Sequence, residues 1–170
     1  AWIVIAAMPV IFLLMRAINR HYSHVASQLV PDSDARTKPS KVHAVVLVSK
    51  VHKPTLRALA FARATRPDVL TALTVNVDDA DTRALQQDWE RYDIPLPLTV
   101  LESPFREITR PVLDFVKDIR RSSPRELVVV FVPQYVVGHW WENLLHNQSA
   151  LRLRTRLQFQ PGVMITSVPW

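Results

Sequence analysis

The sequence predicts an α/β fold: a doubly wound, five-stranded, mostly parallel sheet, preceded by the end of a transmembrane helix. Three observations carry this. Short β-branched runs recur at VHAVVLVS (42–49), VLTALTVNV (69–77), LTVL (98–101), LVVVFV (127–132) and VMITSVP (163–169). Amphipathic stretches of helical period separate them. The first fifteen residues, AWIVIAAMPVIFLLM, are continuously apolar. Strands that alternate with helices form parallel sheets covered on both faces, and strands buried on both faces read as solid apolar runs.

The elements follow in order. The opening run is shorter than the roughly 20 residues that span a bilayer, and it starts at residue 1, so we expect a piece of a longer protein. Arg16, Arg20 and His21 follow it. Basic residues behind an apolar run place that end on the cytoplasmic side, whereas in a signal peptide the charges come first. We therefore expect a transmembrane end over 1–18 and a juxtamembrane helix and linker over 19–40. VPDSDARTKPS (30–40) has two prolines and no apolar period, the composition of a linker. The α/β domain is expected over 41–170.

Within that domain Pro54 opens a helix that runs to about Ala64. Asp78, Asp79 and Asp81 crowd the next helix start, as the helix dipole favours. Leu85, Trp89 and Tyr92 give that helix one apolar face. Ser103 and Pro104 read as an N-cap followed by proline at the first helical position. The helix expected over 105–121 packs through Ile108, Val112, Phe115 and Ile119, with a kink or a restart at Pro111. Ser149 reads as the N-cap of a last helix that carries Arg152, Arg154 and Arg156.

Composition bounds the chemistry. The chain has no cysteine, so disulfides, thiolate metal sites and cysteine nucleophiles are excluded. Two glycines, Gly138 and Gly162, exclude the usual glycine-rich phosphate loops. The net charge of +6 suits an anionic ligand or a membrane surface. It is dispersed, with no nucleic-acid-binding signature, so no nucleic acid partner is expected. No Ser-His-Asp order, H-E-x-x-H run or paired carboxylates mark a catalytic centre, and none is expected. His139 and His146 are seven apart, a poor chelating interval, so neither a metal nor another cofactor is expected.

Parallel α/β sheets bind ligands beyond the carboxyl ends of their strands, where the strand order reverses. The loops there contribute Lys50, His52 and Lys53 after the first strand, and Arg106 after the third. After the fourth come Gln134, His139, His146, Asn147, Gln148 and Ser149, with Arg152 one turn into the last helix. Cations and a helix N-terminus contact phosphates, and amide side chains also read a purine edge. Ordinary basic loops and a solvated helix face would look the same.

The order of elements resembles the universal stress protein fold. The ATP-binding members of that family carry G-x2-G-x9-G-[ST] after the fourth strand. VPQYVVGHWWENLLHNQSALRLR (132–154) lacks it. With VSKVHKPTLRALAFAR (48–63) and SPFREITRPV (103–112), the same segment resembles the cytoplasmic C-terminal domains of KimA-type potassium importers, transporters of the amino-acid-permease superfamily. The resemblance covers roughly 41–170. It implies a cytoplasmic regulatory domain that pairs as a homodimer beneath a transmembrane transport domain of the same chain in the cell membrane. It also implies inhibition by cyclic di-AMP. The expected function is thus regulatory, with a ligand-free dimerisation scaffold, an ATP- or AMP-binding domain and, last, an enzyme as alternatives.

Overall fold

The structure, a computed structural model, describes residues 2–31, 37–134 and 148–169. The chain divides into two compact units, Ala1–Lys38 and Pro39–Trp170.

The first unit is one helix, α1, Trp2–Gln28. The apolar run that fills its first half, followed by good helix formers such as Arg16, Ala17 and Arg20, explains it. Pro9 falls inside, yet the helix runs through. At 1.5 Å per residue it is about 40 Å long, long and apolar enough to cross a membrane, and none of its residues is buried within the chain. The helix expected after residue 18 is simply its continuation. Residues 32–36 of the expected linker lie outside the described residues.

The second unit is the predicted α/β domain. Its strands are β1 (Val42–Leu47), β2 (Val69–Asn76), β3 (Leu98–Glu102), β4 (Leu127–Gln134) and β5 (Val163–Pro169). Its helices are α2 (Lys53–Ala64), α3 (Asp79–Arg91), α4 (Thr109–Ser122) and α5 (Gln148–Gln158). All strand pairs are parallel, in the order β3-β2-β1-β4-β5. The chain winds outward from β1 to β3, then returns to place β4 against the other side of β1. The order therefore reverses between β1 and β4.

Alternation along the strands builds two cores. Ala44, Val46 and Val48 join Ala58, Leu59 and Ala62 of α2 and Leu85 and Trp89 of α3 on one face. Val45 joins Leu73, Val130, Val112 and Val116 of α4 and Leu153 and Leu157 of α5 on the other. Trp89 is buried with its polar edge satisfied, because Nε1 donates to the Leu96 carbonyl at 2.9 Å. With so few glycines, three turns place other residues at positive φ: Arg66 (50°), Asp93 (46°) and Arg106 (53°).

The helix ends differ from expectation in four places. Helix α4 starts at Thr109, not at Phe105. Proline has no N–H and its ring clashes with the carbonyl four residues back, and a first turn accommodates both. Of the kink and the restart expected at Pro111, the structure shows the restart, with Pro111 the third residue of α4. Ser103 consequently caps no helix; it closes a turn in which its Oγ accepts from Glu107 N at 2.9 Å and donates to Glu107 O at 2.7 Å. Ile108, outside the helix, is 39% exposed, and Leu113 takes its expected place in the core. Tyr92 ends α3 and is 57% exposed. Ser149 is the second residue of α5, so it is not the N-cap; the preceding position, Asn147, lies outside the described residues.

Each helix runs back towards the amino ends of the strands, and each carries arginine in its last turn: Arg63, Arg91, Arg120 with Arg121, and Arg156. The helix dipole favours this. The chain from 37–41 also enters at this amino end. Leu127 N donates to Lys41 O at 2.9 Å, and Ser40 N donates to Arg125 O at 3.1 Å.

Candidate functional site

The reversal of strand order puts the loop after β1 and the end of β4 side by side. Lys50, His52 and Lys53 come from the first and Gln134 from the second, and the three basic residues are exposed. This loop is shaped by a buried threonine. Thr55, fully buried, donates through Oγ1 to Lys50 O at 2.7 Å. Its Oγ1 also lies 2.8 Å from His52 Nδ1, and Thr55 N points at the same nitrogen from 3.4 Å. His52 is thereby the N-cap of α2, with extended backbone (φ −145°, ψ 173°). Its Nδ1 is committed to the helix, which leaves only Nε2 for any ligand. The side chains of Lys50 and Lys53 make no such contact among the described residues.

Gln134 is also engaged. Arg154 Nη1 donates to its Oε1 at 3.4 Å, so the amide nitrogen is what Gln134 can offer a ligand. Arg154 is half-buried, whereas Arg152 is exposed. Helical geometry contained the signal: Arg154 lies nearer the Leu153–Leu157 stripe than Arg152 does. Sequence reading chose Arg152 for its closeness to the helix start and left out Arg154.

Gln148 and Ser149 open α5, whose first-turn N–H groups have no intrahelical partner and form a positive dipole end. Next to that face the Oγ of Ser167 in β5 is buried and without a hydrogen-bond partner among the described residues. Ser167 pairs in register with Val132, two residues before Gln134. His139, His146 and Asn147, and the aromatic residues Tyr135, Trp140 and Trp141 between the same two elements, lie outside the described residues.

Arg106 is not part of this grouping. It follows β3, an edge strand two places from β1 and three from β4, so at strand spacing it starts about 10 Å and about 14 Å away. Its surroundings are acidic. Asp78 caps α3 by accepting from Ala80 N at 2.9 Å and Asp81 N at 3.3 Å. Those two backbone donors hold the Asp78 carboxyl below its ordinary value; partial desolvation opposes them, and the Arg106 and Arg83 charges add to them. Beside it Asn76, in register with Glu102, donates to Asp79 Oδ1 at 2.8 Å and Glu102 Oε2 at 3.0 Å and accepts from Thr82 at 2.9 Å. This network stitches the ends of β2 and β3 together. Its signal was the Asn76–Glu102 register, legible only once the strand order is known.

Among the described residues no cluster of three or more histidine or acidic side chains has metal-binding geometry. What the β1–β4 site offers is donors: two exposed ammonium groups, an imidazole nitrogen, an amide and a helix N-terminus. Such a set suits an anion.

Comparison with known proteins agrees with the architecture. Residues 41–170 match the family model described as the KimA potassium transporter C-terminal domain. The chain is 28% identical over 172 residues to the potassium transporter KimA of Bacillus subtilis (strain 168), an alignment that covers 99% of this chain. The chain spans 28% of that transporter's length. Since the family model takes in the whole α/β unit, the chain belongs to the family of KimA potassium transporter C-terminal domains.

Proposed function

We propose that the α/β unit is a cytoplasmic regulatory domain of a membrane transporter for potassium, and that it senses an anionic nucleotide such as cyclic di-AMP. The observation that carries this is the group of exposed donors at the reversal of strand order, on a chain whose other unit is a membrane-length helix. The family and the named relative supply the transport context. In this reading α1 lies in the membrane, the residues after it face the cytoplasm, and the transport domain belongs to the same protein. In this reading the domain is not an enzyme: the hydroxyl that meets the His52 imidazole, that of Thr55, is buried and donates to the Lys50 carbonyl. Binding acts by population shift. A dianionic ligand that prefers one arrangement of paired domains biases the transport domain by that difference in affinity.

Lys50, Lys53 and the Nε2 of His52 would hold one phosphate, and the start of α5 with Arg152 or Arg154 the other. Arg106 would join only through a ligand long enough to cross β2. Pairing would use the β5 edge, where Met164 is 52% exposed.

A specific observation favours a second reading, a ligand-free dimerisation scaffold: His52 and Gln134 already serve the fold. Calorimetry of the whole chain with cyclic di-AMP, ATP and AMP separates the two. Micromolar binding of cyclic di-AMP supports the sensor, and Lys50→Ala or Arg152→Ala should then weaken it about ten- to hundredfold. No heat at about 100 µM ligand would leave the scaffold.

A further inference from the structure

The two ends of the sheet differ in charge. The carboxyl end mixes its cations with Asp78, Asp79, Asp81, Glu102 and Glu107. The amino end collects cations. Arginines in the last helix turns are accounted for by the helix dipoles. Lys41, Arg66 and Arg125 are not, since they sit in loops, and all three are exposed there beside Arg121. Of the acids at this end, Asp68 accepts from Val42 N at 2.7 Å, Glu126 faces His43 at 2.5 Å and Asp118 pairs with Arg121 at 3.6 Å, while Glu90 and Asp93 are exposed. Two aromatic side chains stand out of the same end, Tyr92 (57% exposed) after α3 and Phe159 (78%) after α5. They lie towards opposite edges of the sheet. This is also the end where the chain arrives from α1, and residues 29–41 reach at most about 45 Å when fully extended.

We propose that this amino end is a docking face for the anionic surface of a phospholipid bilayer. Loop cations meet lipid phosphates, and Tyr92 and Phe159 settle at headgroup depth, where amphipathic and aromatic groups are favoured. Anionic headgroups attract a basic face within about a Debye length, and the tether keeps the face within that range more often than free diffusion would. The inference rests on the reading of α1 as a membrane segment.

The chain has no cysteine, so a single reporter can be placed without removing any. An environment-sensitive fluorophore on Phe159→Cys would be compared with one on Phe105→Cys, which is 86% exposed at the other end. The whole chain is reconstituted in phosphatidylcholine vesicles with and without phosphatidylglycerol, and doxyl-labelled lipid is the quencher. The expected result is a blue shift and quenching at position 159 only, in anionic vesicles, reversed by molar salt. Joint replacement Lys41→Gln, Arg66→Gln, Arg121→Gln and Arg125→Gln should abolish the shift at an unchanged melting temperature. If that variant does not fold, the salt titration of the unsubstituted chain still decides.

Equal exposure of position 159 in neutral and anionic vesicles would overturn the proposal, as would stronger quenching at position 105. So would a shift that appears in detergent and grows with protein concentration, which would mark contact with a second copy. Flotation of the chain with the vesicles tests α1 separately. A chain that floats without a shift at 159 removes only the docking face, and one that does not float removes both readings.

Discussion

The amino and carboxyl ends of the sheet are built from the same kinds of residues and use them differently. At the amino end polar groups are turned inward and consumed. Arg120 Nη1 donates to Pro124 O at 2.7 Å and to Glu126 O. Asp68 holds Val42 N, and His43 faces Glu126 with side chains only 19% and 12% exposed. At the carboxyl end, Lys50, Lys53 and Arg152 are exposed, and among the described residues no hydrogen bond or ion pair fixes their side chains. These groups at the amino end lock the fold, and these at the carboxyl end stay available. Substituting the first should therefore cost stability, and the second mainly binding.

The sharpest break of that contrast is at His43. His43 Nε2 lies 2.5 Å from Glu126 Oε2, in poor alignment for a hydrogen bond, so the contact is chiefly a close approach of imidazole to carboxylate. His43→Ala would leave Glu126 largely buried without a partner. We expect a loss of about 3 kcal/mol in urea unfolding. A loss below about 0.5 kcal/mol, the level of an ordinary surface change, would mean that the amino end is no more locked than the other.

Gly162 comes next. It adopts φ 74°, and a Cβ there would stand 2.6 Å from Arg120 Nη2 and 2.7 Å from Nη1. Gly162→Ala strains the backbone and pushes Arg120 off its two carbonyls. About 2 kcal/mol of stability should be lost, and Arg120→Ala alone should reproduce part of it. If the double variant loses the sum of the two single effects, the two residues are not coupled and the account of the turn is wrong.

His52→Ala at the other end should cost less, about 1 kcal/mol, the value of a helix cap. Lys50→Ala should cost nothing measurable. A Lys50→Ala variant that unfolds as readily as His43→Ala would erase the distinction between the two ends.

Much of the fold was legible because β-branched runs and helical periods sit at regular spacing, and the local rules agree with the global order. Helix starts were less legible where two signals competed. Ser103-Pro104 carries the local mark of a start, but Pro111 forbids the helix from including Glu107 in its hydrogen-bond ladder, and the later signal won. Tyr92 fits the apolar period of Leu85 and Trp89, yet it is the C-cap of α3, where the helix ends just before Asp93 turns the chain. The site was legible as loops, because the reversal of strand order fixes which loops meet. It was not legible as contacts. That His52 caps α2, that Gln134 is held by Arg154, and that Arg106 keeps company with Asp78 depend on strand order and helix phase, which a list of residue types does not contain.

The smallest expected effect concerns that last pair and has a definite sign. Asp78 is held below the ordinary aspartate value of 3.8, first by the N–H groups of Asp81 and Ala80 and then by the Arg106 and Arg83 charges. A carboxyl lowered by folding stabilises the native state while it is ionised. That contribution is complete above the unfolded value and disappears as pH falls through the folded one. Asp78→Asn keeps an equally good capping oxygen but no charge. The variant should therefore melt slightly below the parent at neutral pH, and the gap should close as the pH falls below the ordinary aspartate value of 3.8. Asp78 is fully exposed, so added salt should narrow the gap as well. A gap that stays constant with pH would mean that the asparagine simply caps less well. The Asp78 charge, and with it the electrostatic tie between the β2 and β3 loops, would then play no part in holding the carboxyl end together.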